Sequence, residues 1–195
     1  MRKIFIDCGA FDGRSIAKFQ RKKHASEYEI FSFEPTPALS AHVKKKYKKA
    51  AVYNKAIWIK NGTMDFFVNP SNILSQGNSL IKEKLSGRLD KENPITVETI
   101  DLNEWILNNF SKEDYIILKI DIEGAEYEVL PHLIQGGCLD YIDEVYIEYH
   151  LRDGKKMPYE EYKDKHDDVI RKMEEYVEMR NDLKYGPDIW LPDWE

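Results

Sequence analysis

A chain of 195 residues, 42% of them apolar and 12% aromatic, is long enough to bury the core of one domain and too apolar to be disordered. Its formal net charge of −6 argues against a general nucleic-acid binder. Its two cysteines, Cys8 and Cys138, are too few for a disulfide framework and lack a C-x-x-C metal spacing, so they suit buried thiols in a reducing compartment.

The chain opens on an apolar strand, Ile4 to Ile6, that runs into the acidic, glycine-bearing turn Asp7-Cys8-Gly9-Ala10-Phe11-Asp12-Gly13. Gly9 and Gly13 permit a positive φ or a close approach. Arg14 and Ser15 lead into a helix marked by Ile16 and Phe19. A second strand, Ile30 to Phe33, ends at Glu34, and Thr36-Pro37 opens a helix that continues to Tyr47. Leu39, Val43 and Tyr47 share one face of that helix, which makes the lysine run from Lys44 to Lys49 its solvated side. Ala51 to Ile59 reads as a third strand turning at Asn61-Gly62, and Met64 to Val68 as a fourth. Residues 69–94 are polar and rich in turn formers, a length without periodicity that usually serves function.

Ile95 to Ile100 is a short strand, followed by a helix opened by Asp101 and carrying Leu102, Trp105, Ile106 and Phe110. Tyr115 to Asp121 is the most apolar run and should be the central strand. A helix bearing Val129, Leu130, Leu133 and Ile134 stops at Gly136-Gly137. Ile142 to His150 is the next strand, and a charged helix spans about residues 159–176. Val177, Ile189, Trp190 and Leu191 suit a closing antiparallel hairpin. Alternating strands and helices predict an α/β domain over residues 1–195, its mostly parallel sheet covered on both faces. No apolar run approaches the ~20 residues of a membrane span and no leader pattern precedes Ile4, so a cytoplasmic protein without membrane partners is expected.

Ligands of such folds sit over the C-terminal strand ends, and four of these ends carry polar groups: Asp7, Glu34, Asp121 with Glu123, and Glu148 with His150. Glu34 follows the glycine turn at the spacing of an acid that grips ribose hydroxyls. The turn has two glycines rather than the three of a dinucleotide fingerprint, and Asp7 and Asp12 would repel a pyrophosphate. The same two charges would attract a sulfonium and an ammonium, which favours S-adenosylmethionine over NAD. An NAD(P)-dependent oxidoreductase and an inactive nucleoside-binding module are the alternatives. Asp121, Glu148 and His150 are the candidate catalytic residues, either as bases toward an alcohol or as ligands of a divalent cation, Mg or Mn. Glu126 lies in a first helical turn, where the dipole favours acids, and is read as structural.

The segments Ile4 to Gly13, Phe33-Glu34-Pro35, Ala56-Ile57-Trp58, Asn78-Ser79-Leu80, Ile100-Asp101-Leu102 and Leu118 to Glu126 resemble, in this order, the FkbM-type S-adenosylmethionine-dependent methyltransferases. The resemblance implies a Rossmann-like class I methyltransferase fold with a seven-stranded sheet, and O-methylation of a sugar, glycan or natural-product hydroxyl. It implies that Asp7, Gly9 and Gly13 line the methionine end of the donor, that Glu34 holds its ribose, and that Ala56 and Ile57 lie near its adenine. With Phe11, Asp12, Ser15, Pro35 and Asp121 these form the candidate donor-binding set. Asp121, Glu148 and His150 would lie at the transfer site. Many relatives carry residues before the first strand that this chain lacks. The acceptor surface is therefore expected from residues 69–94, Lys155-Lys156 and the C-terminal tail, with a second subunit as a further source in a homo-oligomer.

Overall fold

In a computed structural model that describes residues 1–151 and 155–186, the apolar runs become parallel strands side by side. β1 (Lys3–Cys8) lies at the centre, flanked by β2 (Glu29–Phe33) and β7 (Tyr115–Ile120). β3 (Ala50–Tyr53) extends the sheet beyond β2, and β8 (Glu144–Ile147) and β9 (Lys184–Gly186) extend it beyond β7. All pairings in this six-stranded sheet are parallel.

Alternate residues on each strand point to opposite faces, and each face has its own helices. Ile4, Ile6, Ile116 and Leu118 pack with α3 (Leu102–Asn109), α4 (Glu126–Gly136) and α5 (Tyr159–Met179). Phe5 and Ile117 pack on the other side with Ile16 and Phe19 of α1 (Arg14–Phe19) and Val43 of α2 (Pro37–Lys46). Phe5 and Phe19 stack with ring centroids 4.0 Å apart. This is the doubly wound arrangement expected of the alternating pattern. Among the described residues, no helix is long and apolar enough to cross a membrane.

Three departures from the sequence expectation concern strands. The segment Ala51 to Ile59 divides into β3 and β4 (Ala56–Trp58), which belong to different sheets. Asn54 lies at the break, its amide donating to the carbonyls of Glu34 and Pro35 at 2.9 and 2.8 Å. β4 pairs parallel with β6 (Ile95–Asp101), which pairs antiparallel with β5 (Gly62–Phe66) in a separate three-stranded sheet. The main sheet therefore has six strands among the described residues rather than seven. β9 is parallel to β8 because the long α5 crossover returns the chain in the same direction. Ile189, Trp190 and Leu191, assigned to an antiparallel hairpin, lie outside the described residues, and Val177 belongs to α5.

Residues 69–94 lie against the strand ends rather than apart from them. Phe67 bridges to Ser79, the Lys84 ammonium donates to the Gly77 carbonyl at 2.7 Å, and Leu85 N–H donates to the Lys156 carbonyl at 2.9 Å. The Ser79 hydroxyl donates to the Glu123 carbonyl at 2.7 Å, anchoring the segment to the loop after β7.

Candidate active site

The loops after β1, β2 and β7 are stitched together by main-chain hydrogen bonds. Gly9 N–H and Ala10 N–H both donate to the Phe33 carbonyl at 3.0 Å, and Asp121 N–H donates to the Cys8 carbonyl at 3.0 Å. Gly9 has φ +85°, and a Cβ there would lie 1.8 Å from the Asp121 carbonyl oxygen. Gly13 has φ +83°, and a Cβ there would lie 2.4 Å from the Tyr47 ring. The close approach that these glycines permit is thus to the protein's own chain. Phe11, between them, also holds a positive φ of 52°, strain of the kind that surrounding structure must enforce.

Over these loops opens a cleft of about 580 Å³, open space included. Phe33, Leu39, Ala56, Ile57, Phe66 and Leu80 supply its apolar wall, and Ser75, Gln76 and Asn78 bring residues 69–94 onto it. Gly9, Phe11, Glu34, Pro35, Asp121 and Glu123 supply the rest of its rim.

Glu34 is buried, and each carboxylate oxygen takes one main-chain N–H: Oε2 from Phe11 and Oε1 from Thr36, both at 2.8 Å. The Thr36 hydroxyl is a third donor to this carboxylate, and since a carboxylate offers about four lone-pair sites, about one remains for a ligand hydroxyl. Burial pushes the Glu34 carboxyl up to about 7, against the opposing pull of the Thr36 N–H and hydroxyl, the Phe11 N–H and Lys119.

The two aspartates assigned to a cationic donor are already paired within the chain. Asp7 is fully buried, with the Lys119 ammonium 3.0 Å from Oδ1, and it does not line the cleft. Asp12 pairs with Arg14 at 3.1 Å on the surface. Their charges are neutralised locally, so they do not discriminate a sulfonium from a pyrophosphate. Gly13 and Ser15 likewise stand outside the cleft lining.

Beside the cleft, the β7 and β8 ends converge. His150 is fully buried; its Nδ1 is 3.1 Å from Glu126 Oε1, and its main-chain N–H donates to the same oxygen at 2.9 Å. The other Glu126 oxygen accepts from Gly124 N–H at 2.9 Å. On its other side, His150 Nε2 faces Glu123 Oε2 at 3.4 Å, Asp121 Oδ1 at 3.7 Å and Glu148 Oε1 at 3.8 Å. Burial alone would lower the imidazole, but the carboxylates of Glu126 and Glu123 outweigh it and raise it to about 10. Burial opposes ionisation of Glu123 too, yet His150 and Lys84 bring it down to about 2. Burial raises Asp121 despite the pull of Lys119. Lys84 is 2.7 Å from Glu123 Oε2, and Lys156 is 3.0 Å from Glu148 Oε1.

A family model for the methyltransferase FkbM domain matches residues 7–178. The chain belongs to the FkbM methyltransferase family. Among solved structures, the methyltransferase FkbM from Methylobacillus flagellatus KT is similar at 14% identity and a TM-score of 0.43, over 69% of this chain and 30% of that one. This chain thus spans less than a third of that protein. No curated protein matches the sequence.

Of the donor-site candidates, the FkbM domain brings Gly9, Phe11, Glu34, Pro35, Ala56, Ile57 and Asp121 to one cleft, and sets Asp7, Asp12, Gly13 and Ser15 behind or beside it. Glu148 and His150 adjoin Asp121 without lining the cleft. Both lie just beyond the end of β8 at Ile147, so they meet through a loop rather than through strand alternation. Glu126 is structural, as its place in the helix suggested, but it acts by anchoring His150 rather than by meeting a dipole at the surface. Lys119 and Lys84 were not anticipated. A lysine inside the most apolar strand was the available signal for Lys119, whereas nothing in the polar 69–94 segment marks Lys84 as fully buried.

Proposed function

We propose that this FkbM domain transfers a methyl group from S-adenosylmethionine to a hydroxyl of a neutral, hydroxyl-rich acceptor such as a sugar or glycan. Glu34 carries the proposal. Its carboxylate is fixed by the Phe11 and Thr36 main-chain donors and the Thr36 hydroxyl at the mouth of an apolar cleft, and retains acceptor capacity for a ribose hydroxyl. The apolar wall from Phe33 to Leu80 suits a flat base beside that ribose. When bound, the donor supplies a methyl already activated on a sulfonium, so the chain's task is alignment and removal of the hydroxyl proton.

The acceptor side follows from the carboxylates. Asp121, Glu123 and Glu148 gather beside one end of the cleft, paired with Lys119, Lys84 and Lys156, where their oxygens accept hydrogen bonds from hydroxyls. His150, charged and enclosed by carboxylates, is a poor base. Its neighbours Asp121 and Glu148 are the proton acceptors as the O–CH₃ bond forms and the S–CH₃ bond breaks toward sulfur.

Calorimetric titration with S-adenosylhomocysteine tests the donor, with NADH as comparison. The expected result is saturable binding of the nucleoside alone, weakened in Glu34→Ala by about 1–3 kcal/mol from the lost hydrogen bonds to a charged group. Binding of NADH but not of the nucleoside would move the protein to the oxidoreductases. Incorporation of labelled methyl into a panel of glycans then tests the acceptor class.

A further inference from the structure

We infer that Asp121, Glu123 and His150 form a binding site for one divalent cation of the manganese class, placed at the acceptor end of the cleft. The inference deepens the methyl-transfer proposal and rests on it for its purpose, though the site can be measured alone.

His150 Nε2 and Asp121 Oδ1 are both buried and make no hydrogen bond among the described residues. Together with Glu123, these residues each offer one ligand atom, and the three atoms lie within 4.8 Å of one another. Two ligand atoms each about 2.1–2.2 Å from an ion stand about 3 Å apart when adjacent and about 4.3 Å apart when opposite. The separations of 3.4 and 3.7 Å from Nε2 to the two oxygens fall within that range, and they are long for hydrogen bonds.

The outer partners are those of a metal-binding histidine. Nδ1 faces Glu126, whose carboxylate also takes the His150 and Gly124 main-chain N–H groups, so the ring is held with its Nε2 toward the oxygens. In the neutral tautomer that arrangement aims a lone pair at three carboxylates. A cation fits between them. A proton on Nε2 serves in the metal-free chain but lies too far from Asp121 Oδ1, at 3.7 Å, to satisfy it, and an ion between the groups would.

Local charge agrees. Among the described residues, the connected carboxylates are Asp7, Asp121, Glu123, Glu126 and Glu148, and the connected ammonium groups are Lys84, Lys119 and Lys156. With a neutral imidazole the carboxylates outnumber the ammonium groups among these described residues, which favours a cation. Lys119 meets Asp121 through Oδ2 and leaves Oδ1 to the ion, while Lys84 shares Glu123 Oε2 with it. Two carboxylates and one imidazole suit manganese better than calcium or magnesium, which favour oxygen alone. At this place the cation supplies a lower hydroxyl pKa to the acceptor, and Glu148, outside the ligand set, remains to take the proton.

The test uses the full chain, stripped with chelator and titrated with Mn²⁺ under electron paramagnetic resonance, with melting temperature followed in parallel. One Mn²⁺ per chain and a raised melting temperature are expected. Asp121→Asn, Glu123→Gln and His150→Gln should each abolish the bound signal. Glu126→Gln should weaken affinity about 10–100-fold by loosening its hold on the His150 ring, and Glu128→Gln, on the α4 surface, should leave it unchanged. No Mn²⁺ uptake by the folded wild-type chain, or uptake that survives Asp121→Asn and His150→Gln together, would overturn the site. Nucleoside binding by the stripped chain separates the two ideas. If it persists while Mn²⁺ fails, only the cation site falls. If Mn²⁺ binds while the nucleoside never does, the donor assignment falls.

Discussion

Asp7 and Lys119 stand opposite each other in the β1–β7 ladder, with the ammonium 3.0 Å from Oδ1 and both side chains buried. The same ammonium donates to the Gly9 carbonyl at 2.7 Å, so the pair fixes the loop on which the cleft is built. Removing one partner leaves an uncompensated buried charge. Lys119→Met and Asp7→Asn are each expected to cost about 3–5 kcal/mol of stability in urea unfolding. Combined, they should cost clearly less than their sum. Strict additivity would show that the two side chains do not interact.

Gly9 and Gly137 separate two reasons for a glycine. Both hold positive φ, 85° and 80°, but a Cβ at Gly137 meets nothing within 4 Å, whereas one at Gly9 meets the Asp121 carbonyl at 1.8 Å. Gly137→Ala should cost only the left-handed backbone penalty, about 1–2 kcal/mol. Gly9→Ala must also part the β1 and β7 loops, so it should lose more stability and most nucleoside affinity. Equal losses in thermal unfolding and calorimetry would refute the close approach.

The strands that position the cleft were legible because burial on both faces demands continuous apolar runs, as in Ile4–Ile6 and Ile116–Leu118. The place of Glu34 at the cleft was legible because the length of one βα unit fixes where its acid falls. The role of Asp7 was not. A strand-end carboxylate looks the same whether it meets a ligand or a lysine, and only the register reveals Lys119 opposite it. Likewise, the apolar residues from Ala51 to Ile59 carry no trace of the change of sheet at Asn54, because both halves pack against apolar partners, Tyr53 and Ile57 on the main core and Ala56 in the smaller sheet. Glu123 was noticed beside Asp121, but its convergence on His150 depends on a positive φ of 55° that no periodicity encodes.

Asp101 joins two elements. Its Oδ1 caps α3 by accepting from Glu104 N–H at 3.1 Å, and its two oxygens lie 2.9 and 3.0 Å from His132 Nε2 on α4. Asp101→Ala removes both and should cost about 2 kcal/mol, at the upper end for a lost cap. Asp101→Asn retains a capping oxygen and should cost less than half as much. If the two variants lose equal stability in chemical denaturation, the cap contributes nothing.

Glu34 makes donor binding depend on pH. Unfolded, a glutamate titrates at about 4.3, whereas burial holds Glu34 near about 7. Between these values the folded chain binds the proton more tightly than the unfolded one. Its contribution to stability therefore falls as pH rises through that window, and the loss is complete above the folded value. Ribose hydroxyls donate best into the ionised carboxylate, so nucleoside affinity should run the opposite way. For a group titrating near 7, binding of S-adenosylhomocysteine should be about tenfold weaker at pH 6 than at pH 8. Glu34→Gln should bind more weakly and lose this dependence. Calorimetry in buffers of different ionisation enthalpy should show proton release with the wild-type chain near pH 6 and none with Glu34→Gln. Equal proton release by both chains would assign the titration to another group.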